Sequence, residues 1–177
     1  MAYINNRVAE RGPLPPPKNE NLRKIYNHPW AQLQRQRAAT YLRILELDRH
    51  AAAYGLTTRE MQERTGLSYS SVFARRRRRD TAPAPDPLLP LDLLTAELDV
   101  LGEKNRQFEE KLDELHPDLC KTLVKAVEHP DPEERVYKSA IADGVLDITR
   151  VTLDKWIEKG KAILDAEAAK EAAESAE

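Results

Sequence analysis

Residues 55–79 read Gly55-Leu-Thr-Thr-Arg-Glu-Met-Gln-Glu-Arg-Thr-Gly66-Leu-Ser-Tyr-Ser-Ser-Val-Phe-Ala-Arg75-Arg-Arg-Arg-Arg79. The order of residue types predicts a short helix, a tight turn and a second short helix. Thr57 or Thr58 supplies the oxygen that caps the first helix, and Glu60 places negative charge in its first turn. Met61 is the main apolar residue of that helix. Gly66 gives the backbone freedom that a turn at Thr65-Gly66-Leu67 needs. Ser68 caps the second helix, which is expected to turn Val72 and Phe73 inward and to end in five arginines.

A pair of short helices can brace one another so that the second enters a major groove about 12 Å wide. Hydroxyls at its entering end bond base edges or phosphates, and arginine does either. The stretch resembles the helix-turn-helix of bacterial and phage DNA-binding proteins, through Leu-Thr, Arg-Glu, Arg-Thr-Gly-Leu-Ser, Ser-Val and Arg-Arg. It departs from their pattern at Gln62, where a small alanine is usual, and at Arg75, where a third apolar residue is common. The residues that would contact DNA are Thr58, Arg59, Ser68, Tyr69, Ser70, Ser71, Arg75, Arg76, Arg77, Arg78 and Arg79. The alternative is an ordinary helical hairpin with a solvated basic end.

The charge distribution agrees with that assignment. The net charge is −2. Residues 1–80 nevertheless hold 16 Lys+Arg against 7 Asp+Glu, and residues 81–177 hold 12 against 23. A basic front half and an acidic back half assign polyanion contact to the front. Few glycines and clustered prolines favour an all-α chain of helices separated by proline-rich breaks. No run approaches the roughly 18 apolar residues of a membrane span, and Met1 to Glu20 lacks a signal-peptide core. One cysteine, Cys120, suits a reducing cytoplasm, that of the host cell if the protein is viral.

Residues 1–28 read as a basic, proline-rich arm with Pro13, Pro15, Pro16 and Pro17. Such an arm could follow a DNA backbone, strap a partner or stay disordered. Residues 29–80 form the helix-turn-helix domain. Pro29 starts its long first helix, with Leu33, Ala38, Tyr41, Leu42, Leu45, Ala52 and Ala53 as an apolar stripe. Trp30 and Tyr41 are expected in the core. Prolines 83, 85, 87 and 90 make residues 81–90 a linker and oppose the β-hairpin of a winged variant.

Residues 91–116 carry a heptad pattern. Leu91, Leu98, Asn105, Leu112 and Leu119 are seven apart, with Leu94, Leu101, Phe108 and Leu115 between them. The pattern predicts a coiled-coil homo-oligomer through residues 91–119, with Asn105 pairing across a parallel seam and Lys104 meeting the partner's Glu109. The other arrangement with this spacing is an amphipathic helix folded against its own chain. Pro117 is expected to close or kink the helix.

Residues 117–165 then form an acidic helical bundle, and residues 166–177 an Ala/Glu tail. Within the bundle, Ile148, Thr152, Leu153, Trp156, Ile157, Lys159 and Gly160 resemble the second half of the helix-turn-helix of phage terminase small subunits, with Asp147 in place of the turn glycine. The resemblance implies a second DNA site at Thr149, Arg150, Thr152, Lys155 and Lys159. It also implies recognition of viral DNA for packaging and a large motor subunit, or another protein, as partner of the acidic half. A dimeric transcription regulator and a helical scaffold protein fit the same chain. Catalytic residues, cofactors and metal ligands are not expected. His116 and Cys120 share a helix face but make only two ligands.

Overall fold

The structure, a computed structural model, describes residues 17–79 and 84–175; of Arg78 and Arg79 it describes the backbone. The helices are α1 (Glu20–Asn27), α2 (Pro29–Ala53), α3 (Thr58–Thr65), α4 (Tyr69–Arg79), α5 (Leu91–Val127), α6 (Lys138–Ile141) and α7 (Arg150–Glu174). A π-helical turn, Ala142–Leu146, continues α6. The described residues are thus all-α, with seven helices and no strand. None of these helices is long and apolar enough to cross a membrane.

Two compact units share the long helices α2 and α5. The central unit is Arg37–Glu109, and the flanking unit is built from the described residues on either side of it. In the central unit the buried apolar residues come from all four of its helices. They are Ala38, Tyr41, Ile44, Leu45, Leu47 and Ala51 of α2, Met61 of α3, Val72 of α4, and Leu94, Leu98 and Phe108 of α5, with Leu67 in the turn. Ile44 and Leu47 carry the α2 stripe, whereas Leu42, Ala52 and Ala53 are exposed.

A buried polar node ties three of these helices. Arg37 of α2 is 1% exposed, and its Nε donates to Asn105 Oδ1 at 2.9 Å. Its Nη2 donates to Glu109 Oε1 at 2.5 Å. Asn105 Nδ2 in turn donates to the carbonyl oxygen of Thr65 at the end of α3, at 3.1 Å. Polar groups out of water must be paired, and this set pairs them within one chain.

The node gives Asn105 partners inside its own chain, where the heptad reading expects one across a parallel seam. Leu94, Leu98 and Leu112 are fully buried and Phe108 nearly so, while Leu101 and Leu115 are half-buried. All are covered within the chain's own packing. Leu91 is the exception, at 45% exposed. Glu109 faces Arg37, and the Lys104 ammonium lies 5.8 Å from the Phe108 ring centroid. Of the two outcomes expected at Pro117, closure does not occur, because α5 passes through it to Val127. The missing amide bond costs about 3 kcal/mol. Burial of Leu119, Cys120 and Leu123 in the following turns offsets that cost.

The flanking unit draws its core from α1, the first turns of α2, the end of α5, α6 with its π turn, and α7. Ile25, Trp30, Leu119, Leu123, Ile141, Leu146, Leu153 and Ile157 lie in it. The arm reading is therefore corrected for residues 20–27. Asn19 Oδ1 caps α1 by accepting from Leu22 N–H, and the buried Asn21 donates to the Glu134 carbonyl at 3.0 Å. Residues 1–16 and 80–83 lie outside the described residues. The rest of the linker is anchored: Tyr54 Oη donates to the Leu89 carbonyl at 2.9 Å, and Leu89 N–H donates to His50 Nδ1 at 3.2 Å.

Three substitutions test this packing. A Cβ on Gly102 would lie 1.7 Å from the Arg64 carbonyl oxygen, whereas a Cβ on Gly144 meets nothing within 4 Å. Gly102→Ala is expected to lower stability in urea by about 1–3 kcal/mol or more, and Gly144→Ala to change it by less than about 0.5 kcal/mol. Asn105→Ile leaves Arg37 and the Thr65 carbonyl short of partners. It is expected to cost about 2–4 kcal/mol with no change of molecular mass by light scattering.

Candidate nucleic-acid interface

The hairpin of α3 and α4 begins with a reciprocal cap. Thr57 Oγ1 accepts from Glu60 N–H at 3.2 Å, and Glu60 Oε2 accepts from Thr57 N–H at 2.6 Å. Thr57, and not Thr58, is therefore the capping residue. These bonds from Thr57 hold the Glu60 carboxyl below its ordinary range, with Arg64 and Arg76 adding to the effect. Gly66 closes α3 at φ +69°, in the left-handed region that a residue with a Cβ enters at a cost. Thr65 Oγ1 donates to the Met61 carbonyl and accepts from Leu67 N–H, which holds the turn from inside.

Ser68 Oγ accepts from Ser71 N–H at 3.3 Å and caps α4. Its 2.7 Å contact with Ser71 Oγ occupies both hydroxyls locally. Thr58 is half-buried and Arg59 exposed. Along α4, Val72 points inward. Arg76 also turns inward, donating through Nε and Nη2 to the buried Asp48 at 3.0 and 2.8 Å and through Nη1 to the Leu56 carbonyl. The Arg75 guanidinium lies 4.6 Å from the centroid of the buried Tyr41 ring.

The opposite face carries Tyr69, Ser70, Phe73, Ala74 and Arg77, all exposed. The expectation that Phe73 points inward is corrected, since it is 48% exposed and stacks on Tyr69 with centroids 5.8 Å apart. Neighbours on a helix differ by about 100°, so Val72 and Phe73 cannot both face the centre of one core. The five arginines thus divide. Arg75 and Arg76 brace α4 on α2 and the α2–α3 connection, Arg77 faces outward, and the side chains of Arg78 and Arg79 lie outside the described residues. The outward face carries no carboxylate between Tyr69 and Arg79.

The second candidate site has a turn of the expected kind. Asp147 adopts φ 49° and ψ 49°, the left-handed conformation that glycine would supply there. Thr149 Oγ1 caps α7 by accepting from Thr152 N–H at 3.1 Å, which gives Thr149 and Thr152 a local structural role. Arg150 and Lys155 are exposed beside the exposed carboxylates of Asp154 and Glu158. Lys159 Nζ donates to His116 Nδ1 at 3.2 Å, and Lys161 pairs with Glu128 at 2.6 Å. Gly160 has a packing reason, because a Cβ there would lie 2.3 Å from the Cys120 carbonyl oxygen. This face is mixed in charge, unlike that of α4.

Between α2, α5 and α7 of the flanking unit, His116 lies edge-on to Trp156 at 4.8 Å and 6.5 Å from Trp30. Cys120 Sγ is 3.6 Å from its Nε2. An ammonium can only donate in the Lys159 contact, so that contact favours the neutral ring with its proton on Nε2. Among the described residues no group of three or more His, Cys, Asp or Glu side chains could hold a metal ion. No protein-family model, curated protein or solved structure significantly matches this chain.

Burial, and after it the Lys159 charge, pushes His116 below its ordinary value of 6.5, with Asp113 opposing. The native state therefore binds this proton less readily than the unfolded chain. Stability contributed here is intact above about pH 6.5 and is lost as pH falls below that and through the lowered native value. Urea midpoints measured from about pH 8 to about pH 5 should fall more steeply for wild type than for His116→Gln.

Proposed function

We propose that the chain is a non-enzymatic protein that binds double-stranded DNA through the outward face of α4. The observation that carries this reading is the division of that helix. One side is locked to α2 by Val72, Arg75 and Arg76, and the other presents Tyr69, Ser70, Phe73, Ala74 and Arg77 with no carboxylate. A helix braced in this way and open at its N-terminal end suits entry into a major groove, with arginines at its far end for phosphates.

Within that class the reading is a phage terminase small subunit, which recognises viral DNA and passes it to a large motor subunit or another partner through the acidic half. Two observations favour it over a dimeric regulator. Asn105, the residue that would have set a parallel dimer, is paired inside its own chain. The left-handed Asp147 supplies the turn that the resemblance in the last third requires. Assembly of several copies belongs to this proposal, and the exposed Leu91, Leu93 and Val100 offer it an apolar surface apart from the buried stripe.

The test is a titration of mixed-sequence duplex DNA at several salt concentrations. Wild type should show log K falling linearly with log salt, by about 0.9 per neutralised phosphate. Changing Arg77, Arg78 and Arg79 together to Ala should reduce that slope by about 2–3 while leaving the fold intact. Arg76→Ala should instead lower stability by about 3 kcal/mol, because it strands the buried Asp48. A wild type that fails to bind at low salt overturns the proposal.

A further inference from the structure

On the proposed groove-facing side of α4, the two residues nearest its N-terminal end that are large and exposed are both aromatic. Tyr69 and Phe73 are each 48% exposed. They are one helical turn apart and stacked, with planes 12° apart and centroids separated by 5.8 Å. Their surroundings are Ser70, Ala74 and Arg77, so a small apolar plate sits within a hydroxyl and cationic rim.

We infer that Tyr69 and Phe73 form a reader for pyrimidine C5-methyl groups, those of thymine in natural DNA. The inference rests on the reading of α4 as the groove-entering helix and adds a base preference to it. The edges of base pairs in the major groove present hydrogen-bonding atoms with one apolar exception, the C5-methyl of thymine. An exposed apolar plate gains from that methyl and loses against the polar edge of cytosine. The 5.8 Å between the rings, set against a rise of about 3.4 Å per base pair, lets the plate cover two successive steps. Ser70 beside it can donate to or accept from the neighbouring edge, and Arg77 lies two turns further on, placed for a phosphate.

The charge of the rim favours a polyanion as the occupant of this aromatic pair. The flanking charge is cationic, with no carboxylate from Tyr69 to Arg79, and so complements a polyanion. Single-stranded DNA, which would stack on free aromatic faces, is disfavoured because each ring already gives one face to the other.

The experiment uses the full chain and four labelled duplexes in fluorescence anisotropy. Two are alternating A·T and the same duplex with uracil for thymine. The other two are alternating G·C and the same duplex with 5-methylcytosine for cytosine. Uracil should weaken binding by about fourfold for one contacted methyl and up to about 16-fold for two, and 5-methylcytosine should strengthen binding to G·C by similar factors. Phe73→Ala and Phe73→Gln should shrink both ratios towards one while leaving the salt slope unchanged. The Phe73 side chain is half exposed, so helix content by circular dichroism should match wild type in both variants. Salt-dependent binding that is equal for thymine and uracil duplexes overturns the methyl reader and leaves the DNA-binding proposal standing. Failure to bind any duplex at low salt removes the reading on which the inference rests.

Discussion

A guanidinium buried at 1% exposure cannot be left without partners, and Arg37 places that constraint at the middle of α2. It is met by Asn105 and Glu109, two residues one turn apart on α5, and Asn105 passes the connection on to the Thr65 carbonyl where α3 ends. The three helices are thereby held in one register, because a shift of either long helix by a residue would strand a charge. Gly102 permits the same arrangement sterically by letting the α5 backbone approach Arg64 and Thr65. A polar node and an absent side chain together set where α3 ends and the hairpin turns.

What the hairpin displays follows from that placement. With α3 fixed at its C-terminal end and Gly66 turning the chain, Val72 fills the interior and Arg76 reaches the buried Asp48. The remaining surface of α4 is then the side with Tyr69, Phe73 and Arg77. A run of five arginines looks uniform as a string of charges, yet its first two described members act as structural braces. Long side chains with planar charged heads can do either, and the choice is made by which face of the helix each one occupies.

Much of the local architecture is legible in the chain. A threonine cap at Thr57, the turn at Gly66 and the start of α2 at Pro29 are consequences of short-range backbone chemistry, and they stand where the residues indicate. The burial of Trp30 and Tyr41 was legible for the same kind of reason, since large apolar area seeks cover. Three features were not. Heptad spacing does not say whether the covering surface belongs to another chain, and Asn105 satisfies the same rule with Arg37 as it would with a copy of itself. Pro117 lies inside a helix because distant packing outweighs a local penalty. Phe73 faces outward because its neighbour Val72 holds the core position; the 100° step between adjacent helical residues was the signal that could have found it.

The sequence by itself determined an all-α chain, caps and turns that bound its helices, and a basic segment ending the second helix of the α3–α4 hairpin. Those properties depend on residues within a few positions of one another. Tertiary structure alone decided that Arg76 turns inward to Asp48, that the leucine stripe is covered from within, and that residues 20–27 form a helix docked through Ile25 and Asn21. Each of those outcomes turns on a contact between residues far apart in the chain, where periodicity names a face and only packing names what it meets.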